Sequence, residues 1–401
     1  MGYEELKKFI EDKLEIWPDT KHRFVVSPEI FRLREEFEKL DSLAKPIFDC
    51  LKGLSEIVAL RKGKIPWLIQ AARRYGINNF FYKYDNARRD TLPIIAKVDF
   101  ISGKEGIYIT EIDAINKHGL GYAVAARKIA EFQGIKVEKI EGLTSYFARK
   151  FEKKIIHIIL NEHENFYWPE MRLLRREIKN KGVEVILLNE IILKKHFLEA
   201  KIFLDFPYRK RANSIIFGEI IERWAKKEIE ILLPPKPIFS SKANLALIRN
   251  DERDPRVEGF LEEFISQDSL KKVRERIPET YLLPRGKKKW FQVQKIQKEN
   301  KEKEFLLKPL TSFGSKGIEF VNQQSKEEIL QRPPSIVQEY ILPKQSEIRY
   351  YDKKGRVKKG KWMVRLTLFY GSRGIIDGVV TARKKWPVHG QPDAIQMAIA
   401  P

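Results

Sequence analysis

Between residues 153 and 188 the sequence changes period twice. KKIIHIIL is a short apolar run, PEMRLLRREIKNKG carries apolar residues at helical spacing, and VEVILL is again a short apolar run. Strand, helix and strand at this spacing make a βαβ unit, whose crossover requires parallel strands. KIFLDF and ILL, separated by the helical FGEIIERWAKKE, repeat the alternation. The fold class predicted is therefore α/β, with α+β character from the zones on either side.

At roughly 150 residues per domain, 401 residues predict two to three domains. Residues 1–84 read as a helical N-terminal region. There SPEIFRLREEFEKLDSLAKPIFDCLKGLSEIVAL offers Ser27 as a cap and Pro28 at the first helical position. Residues 85–150 switch to strand periodicity in TLPIIAKVDFI and EGIYITEIDAI, with SGK as a turn between them. GLGYAVAARKIAEFQG then reads as a helix closed by Gly134. Residues 151–236 hold the βαβ pattern, and LLPPKP is a stiff joint at its end. Residues 237–401 mix helices such as SSKANLALI with strand runs FLLKPL, GIEFV, SIVQEYIL, EIRYY, KWMVRLTLFY and GIIDGVV.

Charge narrows the partners. Lys and Arg total 77 against 55 Asp and Glu, leaving +22, a field that attracts polyanions. The single cysteine, Cys50, can close no intramolecular disulfide and build no Cys-rich zinc site. The opening MGYEELKKFIEDKLEIW is charged throughout, unlike a signal peptide, and no stretch approaches the roughly 20 apolar residues of a membrane span. A soluble cytoplasmic protein without a membrane partner is expected.

Three segments carry chemistry. In FLLKPLTSFGSKGIEFV a strand delivers Lys308, and a Ser/Gly loop follows in which Gly314 and Gly317 let backbone N–H groups converge on an anion. Thr311, Ser312, Ser315 and Lys316 add donors. The segment lacks the ending of a Walker loop, and taken alone it is equally an ordinary glycine hairpin. In SIVQEYILPKQSEIRYY a strand reaches Glu339 and Ile341, and Glu347 follows eight residues after Glu339. Strand-end backbone groups there could read an adenine edge and the later carboxylate could accept ribose hydroxyls; an edge strand with solvated acids would look the same. The third segment pairs Lys97-Val98-Asp99 with Glu111-Ile112-Asp113 across a hairpin, with Glu111 and Asp113 on one face. Three carboxylates together suit magnesium, which prefers oxygen ligands and bridges to phosphate oxygens; taken alone, a solvent-facing acidic strip in a highly charged chain accounts for them as well.

Together these segments resemble the ATP-grasp superfamily. The acidic strands precede the lysine and loop, an order similar to the circularly permuted branch typified by the synthetase domain of glutathionylspermidine synthase. ILLPPKPIFSSKANLALI, RIPETYLL and RLTLFYGSRGIIDGVVTARKK fit that branch, and the resemblance spans most of residues 85–400. It implies a Rossmann-like pre-ATP-grasp domain at 151–236, a permuted ATP-grasp segment with acidic metal strands at 85–150, and nucleotide-binding subdomains at 237–401. By the same resemblance Lys242 and Lys308 would bind the phosphates of ATP, and the loop from Thr311 to Gly317 would cover them. Glu339 and Ile341 would flank the adenine and Glu347 would hold the ribose. Asp99, Glu111 and Asp113 would hold magnesium, Asp113 standing where the family has asparagine. Lys97 stands where relatives place an arginine, and Arg365 and Arg383 would supply the guanidinium. The activity implied is an ATP- and magnesium-dependent carboxylate–amine ligase working through an acylphosphate, with small-molecule acid and amine substrates that the sequence leaves open.

Other readings stay open beside it. The same fold could persist as a nucleotide-binding scaffold without turnover. Basic segments with aromatics, RGKKKWFQ and ARRYGINNFFYKY, could instead hold single-stranded nucleic acid. RGKKK and KKGRVKKGK are expected at exposed tips. His118 and His389 read as structural histidines and His163 as a surface residue. Oligomeric state is silent in the sequence.

Overall fold

The computed structural model describes residues 2–16, 25–59, 66–74, 88–160, 166–189, 198–206, 215–310, 316–352, 354–390 and 393–401. The architecture is mixed α/β. A helix at Tyr3–Phe9, continued by a π-helical turn at Ile10–Leu14, precedes two short strands, β1 (Val25–Val26) and β2 (Phe31–Arg32). Helix α1 (Ala44–Ala59) follows, with Ile47, Leu51, Leu54 and Val58 at spacings that give one buried face. Strands β3 (Ala96–Ser102) and β4 (Ile107–Asp113) then form an antiparallel hairpin, and helix α2 (Leu120–Phe132) leaves it.

The βαβ zone folds as its alternation predicts. Strands β5 (Ile155–Ile159), β6 (Glu184–Leu188), β7 (Ile202–Phe203) and β8 (Glu230–Ile231) form a wholly parallel sheet in the order β6-β5-β7-β8. Helix α3 (Trp168–Lys179) is the crossover between β5 and β6. It packs on α2 so closely that a Cβ on Gly121 would lie 2.2 Å from the Glu170 carbonyl oxygen. Only glycine permits that approach.

After a short helix α4 (Ala243–Arg249) comes a second, antiparallel sheet. Its strands are β9 (Thr280–Leu282), β10 (Phe305–Pro309), β11 (Glu319–Phe320) and β12 (Ser335–Glu339), in the order β11-β10-β12-β9. Helix α5 (Lys288–Glu299) covers it. RGKKK, expected at an exposed tip, runs into this helix, and Lys289 is buried with its ammonium donating to the Arg332 carbonyl at 2.6 Å.

The chain closes with β13 (Gln345–Tyr351), β14 (Val357–Gly371), β15 (Gly374–Arg383) and β16 (Ile395–Ala400). These join the first hairpin in one mixed sheet ordered β1-β16-β15-β14-β3-β4, with β13 also on β14 and β2 also on β16. Strand β14 is its axis, because it pairs with β13, β15 and β3. One core cluster runs from Leu33 through Ile47, Phe100, Leu245 and Leu368 to Ile399, so distant parts of the chain share a single apolar interior. No helix among the described residues is long and apolar enough to cross a membrane.

Candidate functional site

The floor of the site depends on one extra residue. Strands β3 and β4 pair Phe100 with Ile109 and then Asp99 with Glu111, which leaves Thr110 as a bulge. Side chains alternate along a strand, so an unbroken β4 would put Ile107, Ile109, Glu111 and Asp113 on one face. The bulge resets the phase. Ile107 and Ile109 enter the core, while Glu111 and Asp113 face a cleft together with Lys97 and Asp99.

Every charged group on this floor has a partner of opposite sign. Lys97 lies 3.2 Å from Asp113, which also accepts the Asn116 amide at 2.8 Å. Burial works against the Lys97 charge, yet Asp113, Asp99 and Glu111 outweigh it and hold its pKa above the usual lysine range. Strand β14 sets Thr367 opposite Asp99, and the hydroxyl donates to Asp99 Oδ1 at 2.6 Å. Arg365, two residues earlier on the same face, has its guanidinium 3.5 Å from Asp99 Oδ2, and its Nε–H is buried without a hydrogen-bond partner among the described residues.

The opposite wall comes from the antiparallel sheet. Lys308 on β10 is 6% exposed, and its ammonium donates to Gln338 Oε1 on β12, whose amide donates to Thr280 at 3.0 Å. Burial and the nearby Lys242 charge bring the Lys308 pKa down to about 8, with Glu111 and Asp99 pulling the other way. Lys242, at the entry to α4 and 3% exposed, reaches Glu111 Oε1 at 3.0 Å. Two buried ammonium groups thus stand over a floor of carboxylates.

The cleft has two compartments that share Asp99, Glu111, Lys242, Ile318 and Arg365. The smaller, about 80 Å³, adds Lys308, Gln338, Glu339, Tyr340, Ile341 and Trp386. Phe320, Tyr340 and Trp386 form a ring trio there, with centroids 4.9 to 6.0 Å apart. Glu339 accepts the Glu279 N–H at 3.3 Å and lies 3.3 Å from Lys303. The larger compartment, about 210 Å³, adds Lys97, Asp113, Asn116, His118, Tyr122, Phe166, Tyr167, Thr381, His389 and Gln396.

Sequence reasoning reached Lys97 and Asp113 of that second set, read His118 and His389 as structural, and passed over Asn116, Tyr122, Phe166, Tyr167, Thr381 and Gln396. His118 stacks on Tyr167 at 3.8 Å, and Tyr167 meets Phe166 edge-on at 5.1 Å. The loop carrying His118 is braced from below. Lys117 is wholly buried and pairs with Asp205, just beyond β7, at 2.9 Å. Glu170 on α3, also wholly buried, accepts the N–H groups of Gly119 at 3.0 Å and Tyr122 at 3.3 Å. Burial pushes the Glu170 carboxyl up to about 8 despite those donors.

Of the predicted residues, Lys97, Asp99, Glu111, Asp113, Lys242, Lys308, Glu339, Ile341 and Arg365 line this cleft. Glu347 stands apart: it pairs with Lys359 at 2.5 Å and lines a separate groove with Arg349 and Phe31. Arg383 is engaged by Asp393 at 2.8 Å and the Pro387 carbonyl at 3.0 Å. Gly317 has φ +73° and its carbonyl accepts from Arg332 at 2.8 Å. Thr311, Ser312, Gly314, Ser315, His163 and residues 75–84 lie outside the described residues. Among the described residues no three His, Cys, Asp or Glu side chains gather as a metal cluster. All three predicted carboxylates line the cleft, but Asp113, held by Lys97 and Asn116, lines only the larger compartment, while Asp99 and Glu111 line both. A larger hollow, about 630 Å³, opens beside β5 and β8, lined by isoleucines among Lys and Glu side chains, and none of the predicted residues reaches it.

No family model matches the chain, and no curated protein does. Among solved structures, a Methylobacillus flagellatus protein provisionally named gamma-glutamylcysteine synthetase is similar over 88% of this chain and 85% of its own. The identity is 11% and the TM-score 0.35. At that score the likeness bears on neither fold nor activity, and the geometry of the cleft stands by itself.

Proposed function

We propose that the protein is an ATP-dependent ligase that joins a carboxylate to an amine through an acylphosphate. The observation that carries this reading is the meeting of Lys242 and Lys308, both buried, over Asp99 and Glu111 in one cleft. Lys242 has Glu111 as its counter-charge, but the Lys308 ammonium is hydrogen-bonded to the neutral Gln338 amide, a costly place for a buried charge unless an anion comes to share it. The depressed pKa of Lys308 reports that cost. A polyphosphate is the anion whose size and charge match two lysines with carboxylates beside them.

The donor set also fits magnesium. Asp99 and Glu111 would hold the ion, which neutralises phosphate oxygens when bound. Asp113 serves instead as the partner that fixes Lys97. Glu339 and Ile341, with Leu306 and Ile318, form a slot suited to a purine beside Lys308. Arg365 and Lys97 bring positive charge to the floor where negative charge develops.

In the first step a carboxylate oxygen of the acid attacks the γ-phosphorus, the bond from that phosphorus to the bridging oxygen breaks, and ADP leaves. In the second an amine nitrogen attacks the acyl carbon, the acyl C–O bond breaks so that phosphate leaves with that oxygen and the bonding electron pair, and the nitrogen gives up a proton to the departing phosphate or to water. The chain's contribution is positioning and charge neutralisation, since phosphoryl transfer asks little covalent help of a protein.

Thermal stability with ATP, with magnesium and with both tests the reading. Ligand at 100 times its dissociation constant should stabilise the fold by about 2.7 kcal/mol. A shift that needs both and shrinks in Glu111→Gln supports it; no shift under any condition sinks it. Nucleotide binding without ADP release across acids and amines would leave a scaffold. Affinity for single-stranded nucleic acid that falls steeply with salt, regardless of Glu111, would favour the polyanion reading.

A further inference from the structure

The larger compartment of the cleft has features that the nucleotide does not use. Its volume, about 210 Å³, falls below the roughly 300–1,000 Å³ of pockets that take drug-sized ligands. Among the described residues, and beyond the shared floor and the Lys97–Asp113 pair, its walls carry no formal charge with histidine counted neutral. Asn116, Tyr122, Thr381 and Gln396 are polar and neutral, and burial lowers the His389 pKa. The His118–Tyr167 stack and Phe166 give it a wall of rings.

One cation in it is under-used. Among the described residues Arg365 Nε–H is buried without a hydrogen-bond partner, and the carboxylate beside the guanidinium, Asp99, lies 3.5 Å from Nη1 and is already engaged by Thr367. Arg365 stands opposite Thr381 across β15, and Thr381 stands opposite Gln396 across β16. The three side chains therefore form a row on one face of the sheet, all lining the compartment, with Thr381 only 1% exposed. A guanidinium flanked by a hydroxyl and an amide is a carboxylate-binding set.

We infer that this compartment receives a small monocarboxylic acid with an uncharged, ring-bearing body. Its carboxylate sits on Arg365 beside Thr381 and Gln396, and its ring lies against the His118–Tyr167 wall. The inference rests on the ligase reading and names the acid of that reaction. A polyamine would meet Arg365 with no surplus acid to balance it. A dicarboxylate, glutathione with its two carboxylates included, would press its second charge against neutral walls.

The test measures melting temperature of the full chain with benzoate, 4-hydroxybenzoate, succinate, spermidine or glutathione, each with and without ATP and magnesium. The ring acids are expected to add a shift to that of ATP and magnesium. Thr381→Val and Gln396→Leu should raise the acid concentration for half that shift about tenfold, the loss of a hydrogen bond to a charged group. The ATP and magnesium shift should survive in both variants, which also reports that they fold. No added shift from either ring acid, or a larger one from succinate, spermidine or glutathione, overturns the inference. A ring-acid shift without any response to ATP and magnesium would keep the acid site and overturn the ligase reading.

Discussion

Lys242 and Glu111, 131 positions apart in the chain, meet at 3.0 Å where the entry to α4 crosses the end of β4. The contact ties the phosphate side of the cleft to its acidic floor. Glu111→Gln removes the charge that balances a 3% exposed ammonium. Leaving one partner of such a pair unmatched costs about 1–3 kcal/mol. ADP release in the presence of an accepted acid and amine should fall about a hundredfold or more, the usual effect of losing one preorganised charge. Denaturant unfolding and a coupled ADP assay check the two effects separately; unchanged turnover would remove Glu111 from the site.

Lys308 should be a residue whose removal stabilises the protein. Its pKa falls from the usual 10.5 to about 8. Below pH 8 both folded and unfolded chains hold the proton, so the full cost of the buried charge is present. Between about 8 and 10.5 the unfolded chain keeps a proton that the folded chain has released, so stability rises with pH through that window. A shift of that size corresponds to about 3 kcal/mol. Lys308→Met removes it but orphans Gln338 Oε1, which gives back about 1–2 kcal/mol. The variant should therefore be more stable than the parent at pH 7 and lose its response to ATP and magnesium. A loss of stability at pH 7 would contradict the account of Lys308 as a strained cation awaiting an anion.

Glu170 gives a pH dependence of the opposite sign. Its pKa rises from 4.5 to about 8 because burial disfavours the carboxylate, with the Gly119 and Tyr122 N–H groups only partly offsetting it. Below pH 4.5 both states are protonated. Between about 4.5 and 8 the folded chain holds a proton that the unfolded chain has lost, so stability falls as pH rises. Glu170→Gln keeps an acceptor for those N–H groups without the charge. At pH 8 the variant should exceed the parent by roughly 3–5 kcal/mol, and at pH 4.5 the two should converge. Parallel melting curves across that range would refute the assignment.

The cleft was only partly legible in the sequence, and the reasons are physical. The break in β4 is visible in its isoleucines: Ile107 and Ile109 are two apart, but Ile112 follows at three, the mark of one inserted residue. Lys242, Lys308, Glu339 and Ile341 sit beside strand ends and turns, where local pattern points outward from the core. Glu347 could not be placed the same way, because β13 pairs with the outer half of β14 and carries Glu347 to Lys359 instead of the cleft. The ring wall was hidden for another reason. His118 and Tyr167 come together only because α2 packs on α3, a contact that rests on Gly121 and on the buried Glu170 beneath it. Nothing near either residue announces that meeting. Nor does local sequence reveal that Thr381 and Gln396 stand in line with Arg365, which is a matter of register between strands β14, β15 and β16.

The brace beneath that wall gives the last expectation. Lys117 and Asp205 pair at 2.9 Å with almost no exposure of either, joining the His118 loop to the end of β7. A buried pair of this kind is a poor source of net stability, because both ions have lost water. Losing one partner is another matter. Lys117→Met would take the Lys117 ammonium from the buried Asp205 carboxylate, costing up to about 3–5 kcal/mol. Lys117→Met combined with Asp205→Leu should recover most of that loss, since it removes both charges at similar volume. The pair's purpose is then positional: the double variant should unfold close to the parent in urea, yet bind the acid more weakly than ATP, because only the acid compartment is walled by this loop. If the double variant were as unstable as Lys117→Met alone, the pair would be holding the fold together instead of aiming His118.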